Sequence, residues 1–376
     1  MLLSLTNASR DYAWGSDTLL AGLEGRTPTG APEAEVWFGD HPGDPADVAG
    51  DGTLDQVTGG TLPYLLKLLA AARPLSIQVH PTIEQARAGW ERESGLPADD
   101  PQRNYRDDNH KPELIVALSE RFESLSGLRP VADTLGLLEL LDGNDGVLRL
   151  RTHLSADGDA LRDTIGWLLG GEAPQEVDDI IAAVVDASGR TDTGEWGTTL
   201  RAIAGVAENY PGDPGVVVAL LMNHVVLRRG EAVFLRAGLL HAYLSGLGVE
   251  IMAASDNVLR GGLTPKRIDV DELLAILDTT PGEVPVQRPA GDDPVTPYPV
   301  PVPDFALSRV ALDGAPVAIE VSGPTMVLAT AGDVTVTSAG GEELAVAVGT
   351  VAFASDGESR LTLSGKGEAF VASPGL

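Results

Sequence analysis

Two polar side chains in the segment LSIQVHP, Gln78 and His80, have the spacing of metal ligands on a strand. Residues two apart on a β-strand project from the same face, so the amide oxygen of Gln78 and an imidazole nitrogen of His80 can converge on one point. A polar sheet face that binds nothing would show the same spacing. The pair alone therefore predicts a shared face, and a metal site needs ligands from elsewhere in the chain.

Two further candidate ligands stand beside short apolar runs. Glu113 opens the predicted strand ELIVAL in NYRDDNHKPELIVAL, where it is either half of a structural ion pair or a ligand. His241 follows a predicted strand and a glycine turn in GEAVFLRAGLLHAYLSG, where a buried core histidine is the alternative. All four candidates together supply two imidazoles, one carboxylate and one amide. This mixture of nitrogen and oxygen donors suits Zn²⁺, with Mn²⁺, Fe²⁺ or Co²⁺ as alternatives.

Composition and charge narrow the choice of function. The chain has no cysteine, which excludes thiolate zinc sites, iron–sulfur clusters and disulfides. Its formal net charge of −29 makes nucleic acid and anionic membranes poor partners, and an anionic substrate would need a local group of cations. The N-terminus lacks the pattern of a signal peptide, and no apolar run is long enough to span a bilayer. We therefore expect a cytoplasmic protein with a small-molecule substrate and no obligatory protein partner.

The elements that position these residues fall into zones of different composition. Residues 1–125 and 216–280 contain short apolar runs between Gly, Pro and Asp clusters, which favours strands. Residues 126–215 favour helices, because apolar residues recur at helical spacing in segments such as QEVDDIIAAVVDA. A proline-rich connector is predicted over 281–303, and residues 304–376 alternate as in a small antiparallel β domain. The zoning predicts a mainly β protein with a helical insertion.

Three local patterns make narrower predictions. The run LPYLLKLLAA (62–71) is either a strand or a buried helix. The short-strand pattern is expected to return from residue 216. A helix is predicted to begin after Asp269, with Glu272 at the position that completes a capping box.

Longer stretches of the chain resemble the type I mannose-6-phosphate isomerases. The matching stretches are YAWGS (12–16), AEVWFGDHP (34–42), LPYLLKLLAAARPLSIQVHP (62–81), NYRDDNHKPELIVAL (104–118) and HAYLSGLGVEIMAASDNVLRGGLTPK (241–266). The resemblance implies cupin-type jelly-roll domains. Residues 1–125 and 216–280 would form a discontinuous catalytic cupin domain, with 126–215 as its helical insertion and 304–376 as a smaller, cupin-like C-terminal domain.

The resemblance also implies roles for individual residues. The ligands of one zinc ion per chain fall on Gln78, His80, Glu113 and His241, and the catalytic arginine falls on Arg260. Further catalytic candidates are Lys111, His110, Glu250 and Asp256, and the candidates for substrate binding are Trp14, Tyr243 and Lys266. The implied reaction interconverts D-mannose 6-phosphate and D-fructose 6-phosphate through an enediolate, for the synthesis of nucleotide sugars or the breakdown of mannose. The residue that carries the proton stays open at this point.

Two other functions match part of the pattern. A non-catalytic cupin that binds a sugar phosphate would keep the metal ligands but lose Arg260 and Lys111, which are both present. A cupin oxygenase using Fe²⁺ favours three histidines, or two histidines with one carboxylate, and Gln78 fits that set poorly. One departure from the cupin-type motif lies near the site, where Arg236 replaces the usual proline before the turn to His241.

Overall fold

The computed structural model describes residues 1–50, 52–97, 99–141, 143–291 and 293–375. Its strands are β1 (Leu2–Thr6), β2 (Glu35–Phe38), β3 (Asp47–Val48), β4 (Tyr64–Ala71), β5 (Gln78–Val79), β6 (Glu113–Ala117), β7 (Phe122–Leu128), β8 (Met222–Leu227), β9 (Ala232–Leu235), β10 (His241–Ala253), β11 (Leu259–Arg260), β12 (Val286–Gln287), β13 (Val295–Tyr298), β14 (Ala306–Asp313), β15 (Val317–Glu320), β16 (Thr325–Ser338), β17 (Glu343–Val346), β18 (Val351–Ala354) and β19 (Arg360–Ser373). Its α-helices are α1 (Leu19–Glu24), α2 (Leu54–Thr58), α3 (Ile83–Arg92), α4 (Val131–Leu138), α5 (Asp145–Leu154), α6 (Ala160–Leu169), α7 (Pro174–Ser188), α8 (Gly197–Asn209), α9 (Gly215–Leu220) and α10 (Val270–Ile276). A single 3₁₀ turn, Gly194–Trp196, precedes α8.

The first antiparallel sheet is organised around the long strand β10. The later part of β10 pairs with β4 and β6, while His241 at its beginning pairs with β5 and β7. Every residue of β4 is buried, so the run that suited either a strand or a helix is a strand covered on both faces. This sheet brings β5, β6 and β10, which carry the candidate metal ligands, next to one another.

The second antiparallel sheet joins the two ends of the chain. Its strands follow the order β13-β14-β19-β16-β18-β1-β3, with Leu2–Thr6 paired to Val351–Ala354. Side chains from both sheets, such as Val249 and Phe353, share one buried core, so the two sheets pack face to face. The structure therefore has the mainly β, cupin-type architecture that the sequence predicts. The division into domains remains a prediction. The strand pairing places Leu2–Thr6 in the same sheet as the C-terminal strands.

The helices α4 to α9 lie between β7 and β8, and their buried residues share one core with residues of the first sheet, such as Val79 and Leu125, and with Leu273 of α10. The spacing also predicts Ile181 and Val185 on the buried face of α7. Val177, Ile180 and Val184 are buried there and Ile181 is partly buried, but Val185 is exposed. Strands return as expected, but from Met222 and not from residue 216, because Gly215–Leu220 forms the buried helix α9. Valines in this run favour strands locally, but complete burial against the neighbouring helices overrides that preference.

The structure also describes the predicted cap of α10 and the predicted connector over 281–303. Asp269 caps α10 as predicted, since its side chain accepts a hydrogen bond from the backbone N–H of Glu272. The predicted connector over 281–303 contains two short strands, β12 and β13, which pair with β9 and β14. Within the described ranges, none of the helices combines the length and apolar character needed to cross a membrane.

We expect Glu123→Gln to destabilise the fold at neutral pH by about 1–2 kcal/mol. Glu123 on β7 accepts hydrogen bonds from His224 (2.9 Å) and Arg121 (2.6 Å), and the bond from His224 is the largest cause that lowers its pKa to about 2. A carboxylate with a lowered pKa stabilises the folded state above its unfolded pKa, and this contribution disappears as pH falls towards 2. Urea unfolding should therefore show a smaller difference at pH 3.5 than at pH 7. The exposed Glu120→Gln is the matched control and should change little at either pH.

Candidate metal centre and active-site cavity

Three buried side chains from separate strands meet beside the first residue of β10. Glu113 begins β6, His241 begins β10, and His80 directly follows β5. His80 Nε2 lies 3.2 Å from Glu113 Oε1, and His241 Nε2 lies 3.4 Å from Glu113 Oε2. One ligand atom from each side chain lies within 4.8 Å of the other two, as three ligands of one metal ion would.

Two backbone carbonyls set the direction of both imidazole rings. The carbonyl of Asn257 lies 2.7 Å from His80 Nδ1, and that of Leu239 lies 3.0 Å from His241 Nδ1. Because a carbonyl can only accept, each Nδ1 donates, and each ring turns its Nε2 towards Glu113. Burial lowers the pKa of His80 to about 4, against the opposing charge of Glu113, so this ring is neutral at pH 7.

The donor set fits a divalent cation with mixed nitrogen and oxygen ligands, such as zinc. Two imidazole nitrogens face a carboxylate, and His80 Nε2 has no hydrogen-bond partner among the described residues. A buried acceptor left in this way costs free energy, and a cation bound by the three side chains would remove that cost. Hydrogen bonds from the other ring nitrogen to a carbonyl are the usual support of metal-binding histidines.

Gln78 stands next to this cluster on β5. Its register partners are His241 on β10 and Arg260 on β11, so it lies between a candidate ligand and the candidate catalytic arginine. Its amide nitrogen donates a long hydrogen bond of 3.4 Å to Ser76 Oγ, which leaves the amide oxygen for another contact. Its role as the fourth ligand remains a prediction.

The cluster adjoins a cavity of about 410 Å³, a suitable size for a small ligand. The predicted site residues that line it are Trp14, Gln78, Lys111, Glu113, His241, Tyr243, Glu250, Asp256, Arg260 and Lys266. His80 lies behind the cavity wall with 1% of its surface exposed. His110 lies outside the cavity, where its Nε2 contacts Asp304 Oδ2 at 2.9 Å.

Lys111 supplies a positive charge directly beside the metal-ligand cluster. Its ammonium nitrogen lies 3.1 Å from Glu113 Oε1, on the same oxygen that faces His80. Burial disfavours the Glu113 carboxylate, but the charge of Lys111 and the contacts with His80 and His241 together outweigh burial and hold the pKa of Glu113 well below its usual value. The candidate ligand is therefore ionised over the whole neutral range.

Sequence reasoning missed Lys67, which lies on β4 and lines the cavity. Its nitrogen lies 3.4 Å from Glu250 Oε2 and 3.7 Å from Glu35 Oε1. Burial alone would lower the pKa of Lys67, but the two carboxylates raise it above its usual value. Tyr243 donates to Glu250 at 2.7 Å, and burial raises the pKa of Glu250 despite Lys67. The feature of the sequence that could have identified Lys67 is its position as the single lysine in the apolar run LPYLLKLLAA.

Positive charge gathers at the end of the cavity near β11. Arg260 and Lys266 line both this cavity and an adjoining one of about 600 Å³, whose wall also contains Arg106. Burial and then the charge of Arg106 lower the pKa of Arg260. Asp256 contacts His41 at 3.0 Å, and Arg260 has no ion-pair partner in the part of the chain that the structure describes. In a protein of net charge −29, this grouping suits an anionic ligand.

The fold and the site together define a cupin-type β protein with a candidate metal centre of two histidines and one carboxylate. A family model described as phosphomannose isomerase type I, catalytic domain, matches residues 2–131. Mannose-6-phosphate isomerase from Escherichia coli (strain K12) is 36% identical to this chain, and the match covers 96% of this chain and 97% of the relative. The Bos taurus mannose-6-phosphate isomerase is 33% identical and covers 81% of both chains. A crystal structure of mannose 6-phosphate isomerase bound with zinc and yttrium matches over 100% of both chains, with a TM-score of 0.88 and 33% identity. The chain belongs to the type I phosphomannose isomerase family, which confirms the resemblance drawn from its motifs.

Proposed function

We propose that this protein is a zinc-dependent aldose–ketose isomerase that interconverts D-mannose 6-phosphate and D-fructose 6-phosphate. The observation that carries the proposal is the buried cluster of His80, Glu113 and His241, whose acceptor atoms face one another beside a cavity that also holds Lys111 and Arg260. Relatives that align over nearly the whole chain have mannose-6-phosphate isomerase as their name. A metal-binding cupin with cations in its cavity is what such a reaction on a phosphorylated sugar needs.

The metal-ligand cluster would hold one zinc ion, with Gln78 as the proposed fourth ligand. When bound, zinc supplies positive charge that polarises substrate oxygens next to the carbon that loses its proton. The side chains and carbonyls around the cluster prepare it for that role. Lys111 keeps Glu113 ionised, and the carbonyls that accept from both Nδ1 atoms keep each Nε2 turned inward.

The proton that moves between C1 and C2 needs a carrier in the cavity wall. Glu250 is our first candidate, because it is buried, its pKa is raised, and Tyr243 Oη and Lys67 Nζ hold protons beside its two oxygens. Lys111 is the second candidate, and Asp256 with its contact to His41 is suited to proton transfer at the ring oxygen. We assign no catalytic role to His110, because its ring contacts Asp304 and lies outside the cavity.

The two ends of the substrate would meet different cations. Arg260 carries a planar, permanently charged group that suits the oxyanion of an enediolate. Lys266 lies at the boundary with the adjoining basic cavity, where it would contact the phosphate group together with Arg106. Trp14 and Tyr243 line the cavity as the candidate contacts for the sugar.

Isotope exchange tests the proposed reaction directly. The zinc-loaded protein is incubated with D-mannose 6-phosphate in D₂O, and the sugar is followed by proton NMR. We expect D-fructose 6-phosphate to appear, with deuterium entering at C1 or C2 through exchange with solvent. A protein that binds the sugar phosphate but gives neither product nor deuterium would instead be the non-catalytic cupin, the second reading of the sequence. The cytoplasmic location stays a prediction from the sequence.

A further inference from the structure

The loop that follows Arg260, residues 261–266 and here called the cation loop, has a strained backbone. Leu263 has a φ of 56° and is, within the described ranges, the one residue other than glycine in the left-handed region. This conformation is unfavourable for a leucine and persists when neighbouring structure holds it in place. Leu263 is 1% exposed, and the loop ends at Lys266 on the boundary of the two cavities. Some contact must therefore fix the loop beside the active-site cavity.

One side of the cation loop is held by the strand region that carries a candidate metal ligand. The backbone N–H of Gly261 donates to the carbonyl of Ile77 at 2.9 Å, and the N–H of Ile77 donates to the carbonyl of Gly262 at 3.1 Å. Ile77 directly precedes Gln78, so these bonds set the beginning of the loop relative to the metal centre. They leave residues 263–266 to be held from the other side.

The other side is held by the last turn of the helical insertion. Asp213 accepts from the backbone N–H of Gly215 with Oδ1 at 2.7 Å, and from that of Thr264 with Oδ2 at 3.2 Å. Thr264 Oγ1 in turn accepts from the N–H of Lys266 at 3.1 Å. One carboxylate thus joins the start of α9 to the middle of the cation loop.

The two backbones meet without intervening side chains. A Cβ atom added at Gly215 would lie 2.6 Å from both Gly262 Cα and Leu263 N, closer than real contacts allow. The same turn begins with Tyr210, which lines the active-site cavity and donates to the carbonyl of Pro74 at 2.8 Å. At residues 210–215 the insertion therefore reaches the cavity wall, with its backbone directly against that of the cation loop.

We propose that Asp213 is a positioning residue for substrate binding, through which the helical insertion holds the cation loop and Lys266 in place. The proposal rests on the proposed function in one respect, namely that Lys266 contacts the phosphate of the substrate. A phosphate contact is the same in the ground state and the transition state, so loosening it weakens binding and leaves the chemical step unchanged. Arg260 precedes the loop and stays fixed by its pairing with β5.

The test compares Asp213→Ala with a control from the same insertion. We expect Asp213→Ala to raise KM for D-mannose 6-phosphate about tenfold and to change kcat by less than about threefold, with an unchanged zinc content. The inhibition constant of inorganic phosphate should rise by the same factor. Asp159→Ala removes a carboxylate that caps α6 and contacts Thr279, so it should lower Tm similarly and leave KM unchanged. Equal KM values for wild type and Asp213→Ala would overturn the proposal.

Two further measurements apply if Asp213→Ala does not fold or if the wild-type protein makes no product. Asp213→Asn retains one acceptor oxygen, so it should fold even where the alanine variant does not, and its KM should lie between wild type and alanine. Hydrogen exchange of the peptide containing residues 261–266 should be faster in either variant than in wild type. Exchange needs no catalysis, so it separates failure of the isomerase assignment, in which wild type makes no product, from failure of the role of Asp213, in which exchange is unchanged.

Discussion

Replacing Glu113 by glutamine should remove most of the bound zinc and lower kcat/KM by more than about 10³-fold. Glu113 is the single anionic member of the cluster, and its two oxygens face His80 and His241 at 3.2 and 3.4 Å. A glutamine of the same shape offers one neutral oxygen and turns its N–H₂ donors towards a nitrogen lone pair. The site then loses both the charge and the acceptor that favour a cation, and Lys111 loses its partner.

The matched control is Glu93→Gln, which also neutralises a buried carboxylate. Glu93 accepts from the backbone N–H groups of Asn104 and Tyr105 and lies outside the metal-ligand cluster. We expect this variant to lose stability but to keep its zinc. The test measures the zinc content of both variants by mass spectrometry after dialysis. Circular dichroism checks that each variant is folded. A folded Glu113→Gln protein with one tightly held zinc per chain would contradict the assignment of Glu113.

Replacing Arg260 by alanine should lower kcat by about 10²–10³-fold and leave the zinc content unchanged. Arg260 lines the cavity and is the backbone register partner of Gln78, and its guanidinium has no carboxylate partner among the described residues. Such a group is available for negative charge that develops on the substrate, and it contacts none of the three clustered ligands. Arg260→Lys should recover part of the rate, because lysine restores the charge but not the planar pair of donors.

Arg267→Ala is the control for removal of a nearby guanidinium. Arg267 lines the adjoining basic cavity but not the active-site cavity, and it is paired with Asp269 at 2.7 Å. Its removal should change kcat by less than about threefold. Steady-state kinetics on both variants separates the two positions. Similar losses from Arg267→Ala and Arg260→Ala would mean that the general positive potential matters, not a contact made by Arg260 itself.

Local spacing predicts one pair of site residues and gives no information on the others. Gln78 and His80 are two residues apart, so strand geometry predicts a shared face without any knowledge of the fold, and the role of Gln78 as a ligand stays a prediction. Glu113 and His241 reach them through pairing of β6 and β5 with β10, across more than a hundred residues. Periodicity contains no information about which strands pair, and it was the family resemblance that joined the four candidate ligands into one predicted site.

Other features depended on tertiary contacts that leave little trace in sequence. Leu2–Thr6 pairs with a strand near the other end of the chain, and α9 forms from a valine run because it is buried. Lys67 becomes part of the site because the register of β4 and β10 sets it opposite Glu250. Asp213 acts through backbone N–H groups, whose positions no residue pattern specifies.

Titration of zinc into metal-free protein tests the central claim most directly. The chelated protein is supplied with increasing zinc, and conversion of D-mannose 6-phosphate to D-fructose 6-phosphate is measured at each step. We predict almost no conversion without metal, a linear rise with added zinc, and a plateau at one zinc ion per chain. Full conversion by the metal-free protein, or no conversion after one equivalent of zinc is bound, would contradict a zinc-dependent isomerase at this site.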